Sequence, residues 1–128
     1  MAGYVANIQR ETQANDTFRT VLYTAPNLQV VVMTLHPNEE IGMETHDHGD
    51  QFIRVEGGVG EAILNGERHT LGDGTAVVIP AGVEHNIVNT TSDRTLRLYT
   101  IYTPPEHPDG TVHRTKAEAD EYEKSHGH

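Results

Sequence analysis

Short apolar, β-branched runs recur along this chain at intervals of about 8–12 residues, each closed by a turn signal. That rhythm predicts antiparallel strands stacked into a sandwich or rolled into a barrel. Thr20-Val21-Leu22-Tyr23 and Val30-Val31-Val32-Met33-Thr34-Leu35 flank Pro26-Asn27, and Phe52-Ile53-Arg54-Val55 runs into Gly57-Gly58. Glu61-Ala62-Ile63-Leu64 and Glu67-Arg68-His69-Thr70-Leu71 enclose Asn65-Gly66. Both central residues of a type I′ turn need positive φ, so Asn-Gly between such runs predicts a hairpin. Ala76-Val77-Val78-Ile79 stops at Pro80-Ala81-Gly82, and segments 85–89 and 96–102 complete the set. Only the C-terminus reads as helix, opened by the capping box Thr115-Lys116-Ala117-Glu118 and continued to Lys124. The helix has little apolar face and reads as short and peripheral. Before it, Thr103 to Gly110 holds Pro104, Pro105 and Pro108 and reads as a stiff, extended loop.

At 128 residues the chain is the size of one domain, spanning 1–128. Its formal net charge of −10 argues against nucleic acid, whose phosphates need Lys and Arg, and against an anionic membrane surface. An anionic small molecule is still compatible, because a bound divalent cation reverses the field locally. Zero cysteines exclude a disulfide framework, a thiolate metal site and a cysteine nucleophile. No apolar run approaches the ~20 residues of a membrane-spanning helix. The N-terminus lacks the basic-then-apolar layout of a secretory signal, so a cytoplasmic location is expected.

Nine histidines are many for this length. His46 and His48 lie within Glu44-Thr45-His46-Asp47-His48-Gly49-Asp50-Gln51. If that stretch is a strand, the two imidazoles share a face, and Gln51 can return to it after the Gly49-Asp50 kink. Imidazole nitrogen and amide oxygen are both ligands for divalent transition metals. Alternation points Asp47 away, while Asp50 stays an alternative ligand. Glu44, two residues before the pair, can point inward as a base. His85 opens a strand after the Pro80-Ala81-Gly82 turn. Period-two counting puts Ile53 and Val55 on the face of Gln51, and Ile87 and Asn89 on the face of His85; Phe52 faces outward. His36 reads as a strand end and His69 as surface. The polar tail holding His126 and His128 is given no role.

Taken together, these segments resemble the cupin superfamily, over about residues 30–102. Gly74, Pro80, Gly82, His85 and Asn89 match every defining position of its second motif. The first motif is matched in part, by His46, His48 and the strand end Val55-Glu56-Gly57-Gly58. Gln51 stands where the family usually has a glutamate. The loop from His48 to Gln51 is one residue shorter than the commoner forms, and the motif's opening glycine falls on Glu40. Residues 99–113 look like a branch of small bacterial single-domain cupins. The resemblance implies a jelly-roll β-barrel (a double-stranded β-helix), with one divalent transition metal (Fe, Mn, Ni, Co or Zn) on His46, His48, Gln51 and His85. It also implies a homodimer, which suits an outward Phe52.

Two functions follow from that resemblance. One is an enzyme acting on a small organic metabolite, of dioxygenase or isomerase/lyase type; the other is a non-catalytic module that binds a metabolite or metal. Candidate catalytic groups are Glu44, Tyr99, Tyr102, His107 and His113. Tyr99 and Tyr102 lie on opposite faces of one strand, so at most one enters the pocket. His107 and His113 belong to the post-barrel loop, which either packs on the barrel or brings an acid/base imidazole to the metal.

Overall fold

Leu96, Leu98, Thr100 and Tyr102 are buried while Arg97, Tyr99 and Ile101 between them are half-buried, the period-two pattern of a strand with one face on a core. The computed structural model describes residues 2–126, so His128 of the polar tail lies outside the described residues. In chain order they form α1 (Ile8–Ala14), β1 (Arg19–Thr24), β2 (Gln29–Leu35), β3 (Asp50–Gly57), β4 (Gly60–Leu64) and β5 (Glu67–Leu71). Then come β6 (Ala76–Ile79), β7 (His85–Val88), β8 (Leu96–Thr103), β9 (Val112–His113) and α2 (Lys116–His126). A six-stranded sheet in the order β6-β3-β8-β2-β1-β9 faces a three-stranded sheet in the order β5-β4-β7, and every strand pairing is antiparallel. The core lies between them, with Val31, Met33, Leu35, Ile53, Val55, Leu71, Ile79, Ile87 and Leu98 inside.

The expected hairpin closes β4 and β5, with Asn65 at φ 48° and Gly66 at φ 83°. Ile53 and Val55 face inward as counted. Phe52 is half-buried on the outer face, in register with Val78 on one side and Ile101 on the other. Three features depart from the sequence reading. The N-terminus carries α1, capped by Asn7, whose side chain accepts from the Arg10 N–H at 3.1 Å. Its seven residues are too few to show a helical period, and Thr12 is its one buried residue. Part of the post-barrel loop pairs with β1 as β9. Asn89 does not line a pocket: it is 1% exposed, and its amide ties Leu35, His36 and Arg94 carbonyls together.

The remainder of that loop is held from below. Gln29 is fully buried on β2; its Oε1 accepts from the Glu106 and His107 N–H groups at 3.2 and 3.0 Å. Its Nε2 donates to the His107 carbonyl at 2.7 Å. A single side chain thus satisfies the backbone of a proline-stiffened loop that no strand pairs. Helix α2 starts as expected, Thr115 Oγ1 accepting from the Glu118 N–H at 3.1 Å. It is less peripheral than its composition implies: Ala119 is 2% exposed and joins the core cluster.

Candidate metal centre

Residues 40–46 run along the edge of β7 as an antiparallel strap. The Ile41 N–H donates to the Ile87 carbonyl at 2.9 Å. Glu44 and His85 exchange both backbone bonds, each 2.9 Å. Two residues paired this way put their side chains on the same face. The Asn86 side chain accepts from the Gly42 N–H at 2.9 Å and donates to Glu40 at 3.1 Å, which keeps the strap in register. The Gly82 N–H donates to the His46 carbonyl at 2.9 Å and holds the far end of the strap.

Glu44, His46 and His85 therefore bring one ligand atom each to within 4.8 Å of one another. Glu44 Oε1 lies 3.4 Å from His46 Nε2 and 3.7 Å from His85 Nε2. Both Nε2 atoms are buried, and neither makes a hydrogen bond. The other ring nitrogens are engaged. His85 Nδ1 donates to the Val83 carbonyl at 2.9 Å, which leaves the lone pair on Nε2. His46 Nδ1 faces Glu106 Oε2 at 3.5 Å, the carboxylate–imidazole arrangement that orients metal-ligating histidines. Burial pushes the Glu44 carboxyl up, but the His46 and His85 imidazoles beside it outweigh that and hold it at about 2. Glu44 and Glu106 raise His46 against the effect of its burial.

Gln51 is 3% exposed on β3; its Nε2 donates to Thr100 Oγ1 at 2.9 Å, and its Oε1 is buried without a hydrogen-bond partner. A bare amide oxygen in the interior costs about 1–3 kcal/mol. Two buried imidazole nitrogens, the carboxylate that faces them and a bare amide oxygen are donors of the type a divalent transition metal takes. Around ~2.1 Å bonds, tetrahedral ligand atoms stand about 3.4 Å apart, close to the 3.4 and 3.7 Å from Glu44 Oε1 to the two Nε2 atoms.

The expected convergence of His46 and His48 is corrected. Residues 47 and 48 form a bend rather than strand, so period-two counting fails there, and His48 is exposed outside the cluster. Glu44, expected as a base, takes the neighbouring place. Asp50 is exposed and its Oδ1 accepts from the Ala81 N–H at 2.9 Å; Asp47 is exposed. Tyr102 is 4% exposed, with its ring 5.9 Å from His46 and 5.2 Å from His107, and burial raises its hydroxyl pKa. Tyr99 sits on the opposite face against Phe52.

A cavity of about 290 Å³ opens beside the cluster, walled by Glu44, His46, Tyr102, His107, Arg19 and Ala119. Burial, then the Arg19 charge, pushes His107 down to about 3, and the same causes lower His113. His113 stands behind the wall, its Nδ1 3.2 Å from Arg19 Nη1. Residues Arg19 and Glu106 carried no signal strong enough to be picked out from the sequence. The one hint was that Arg19 shares the inward phase of Val21.

The His107 shift has a consequence for stability. His107 is neutral when folded, whereas the unfolded chain takes up a proton below about 6.5. Its contribution is therefore full above that pH and is lost as pH falls toward 3. At pH 5 the loss is about 2 kcal/mol. The stability difference between pH about 7.5 and about 5, measured by urea unfolding of metal-free protein, should exceed that of His107→Asn by this amount. Equal differences in the two proteins would remove the assignment.

With this geometry in view, the sequence pattern of the cupin domain matches residues 31–102. The chain belongs to the cupin family. A crystal structure from Bacillus halodurans superposes on this cupin with a TM-score of 0.90 at 45% identity, covering 92% of this chain and 93% of that one. YrkC of Bacillus subtilis strain 168, described as uncharacterized, is 47% identical over 123 residues. The match covers 91% of this cupin and 65% of YrkC, so the chain spans less than two thirds of that relative's length. A protein of Acanthamoeba polyphaga mimivirus is 42% identical over 112 residues, 85% of this chain and 70% of its own. Among the described residues, no helix is long and apolar enough to cross a membrane.

Proposed function

We propose that this cupin holds one divalent transition metal on Glu44, His46, Gln51 and His85, and is an enzyme acting on a small organic metabolite in the adjoining cavity. The observation that carries this reading is the convergence of Glu44, His46 and His85 within 4.8 Å, with both imidazole Nε2 atoms buried and facing Glu44 without a hydrogen bond. The mixed nitrogen and oxygen donors suit Fe, Mn, Co, Ni and Zn alike. A metal held there would polarise a substrate oxygen, and iron or manganese would add chemistry with O₂. The His107 imidazole lines the cavity wall, where burial keeps it neutral. The Gln29 clamp holds that imidazole in place.

Metal content tests this directly. Untagged protein purified without chelator, analysed by plasma mass spectrometry, should carry about one transition-metal ion per chain. Less than about a tenth of that, even after reloading with each of the five metals, would leave the binding-module reading in its place.

A further inference from the structure

Arg19 is 5% exposed, lines the cavity, and among the described residues forms no ion pair with a carboxylate. Its Nη1 meets His113 Nδ1 at 3.2 Å, its guanidinium lies 5.3 Å from the Phe18 ring centroid, and its Nε is buried without a hydrogen-bond partner. Burying a guanidinium without a counter-ion is unfavourable, and an anionic ligand would supply the missing charge. Two of the neighbouring acids are otherwise engaged. Asp120 is paired with Lys116 Nζ at 2.9 Å, and Glu106 faces His46 at 3.5 Å. Glu123 lines the same cavity, so the local field tolerates one added negative charge better than two. At about 290 Å³, the space is at the small end of ligand pockets.

We propose that the cavity takes a small monocarboxylate whose carboxylate is held by Arg19 and whose other polar end faces the Glu44–His46–His85 cluster. The planar fork of the guanidinium matches a carboxylate by two parallel N–H···O bonds, which neither an alcohol nor an amide reproduces. Naming the substrate class in this way rests on the metal-site reading above. The guanidinium itself needs no metal to bind an anion.

The test is calorimetric titration of small hydroxy- and oxo-monocarboxylates, their amides, and a phosphomonoester of similar size. Each is run on metal-reloaded and on chelator-treated protein, with metal content measured on the same samples. The carboxylates should bind at least ~30-fold more tightly than their amides. Arg19→Met should lose ~30-fold or more, and Arg19→Lys, which keeps charge but not the fork, about 10-fold. If Arg19→Met fails to fold by circular dichroism, Arg19→Lys and the carboxylate-to-amide ratio in wild type decide the matter. Equal affinity for acid and amide, unchanged affinity in the Arg19 variants, or tighter binding of the phosphomonoester overturns the proposal. Failure to load metal together with Arg19-dependent carboxylate binding would sink the metal reading and leave this one standing. Loaded protein that ignores carboxylates would do the reverse.

Discussion

His85→Ala is expected to lower metal affinity by ~100-fold or more while leaving the β-fold in place. Losing a partner that only orients a ligand costs ~10–100-fold, and loss of a ligating imidazole sets a larger effect. Among the proposed ligands, His85 has the most completely determined geometry. Its backbone is paired with Glu44 through two 2.9 Å bonds, and its Nδ1 is committed to the Val83 carbonyl, so Nε2 has no other use. Both backbone bonds survive the change to alanine. The removed ring leaves a gap in a residue only 2% exposed, a cost of about 2–4 kcal/mol. Metal content by mass spectrometry, beside circular dichroism and the unfolding midpoint of the metal-free protein, separates the two effects. Wild-type metal content in a folded His85→Ala protein would remove His85 from the site.

The second large effect is expected at Glu44. Glu44→Gln preserves shape and removes only the charge that His46 and His85 hold ionised, so divalent-metal affinity should fall about 10–100-fold. His48→Ala, by contrast, should change it by less than about 2-fold, because its side chain is exposed outside the cluster. Competition titration against a chelator of known affinity reads both variants on one scale. The opposite pattern, with metal lost in His48→Ala and kept in Glu44→Gln, would restore the pairing expected from the sequence.

That pairing shows where local reasoning stopped. Placing His46 and His48 as the ligand pair left a loop to Gln51 that was too short and an opening glycine position occupied by Glu40. Sliding the pair by two residues, to Glu44 and His46, leaves four residues before Gln51. It also moves the opening position to Asn38, which stands at φ 65°, a backbone conformation glycine usually supplies. The two spacing departures had one cause, and it was visible in the sequence. It was hidden by chemistry, since two histidines look more like a metal pair than a glutamate and a histidine do.

Much of the fold was legible because its determinants are local. Alternation along 52–55 and 96–102 marks an inward face within a few residues, and Asn65-Gly66 specifies its turn through backbone torsion alone. The second cupin motif is equally local, since Pro80, Gly82 and His85 act on one turn and the strand after it. Helix α1 escaped because seven residues cannot display a 3.6-residue period.

Sequence alone determined antiparallel strands, the inward phase of Ile53 and Val55, one hairpin, the cupin resemblance that implies the barrel, and His46, Gln51 and His85 as groups of metal-binding type. Only the tertiary structure decided which neighbour faces them. The Glu44–His85 pairing, the Gln29 clamp on residue 107, 78 positions away, and the contact of Arg19 with His113, 94 positions away, depend on register between distant segments. Strand periodicity says which face a side chain takes, but not what lies opposite it. That is set when the strap, β7, β1 and the post-barrel loop dock against one another, and it decides whether a buried charge or a bare nitrogen has a partner.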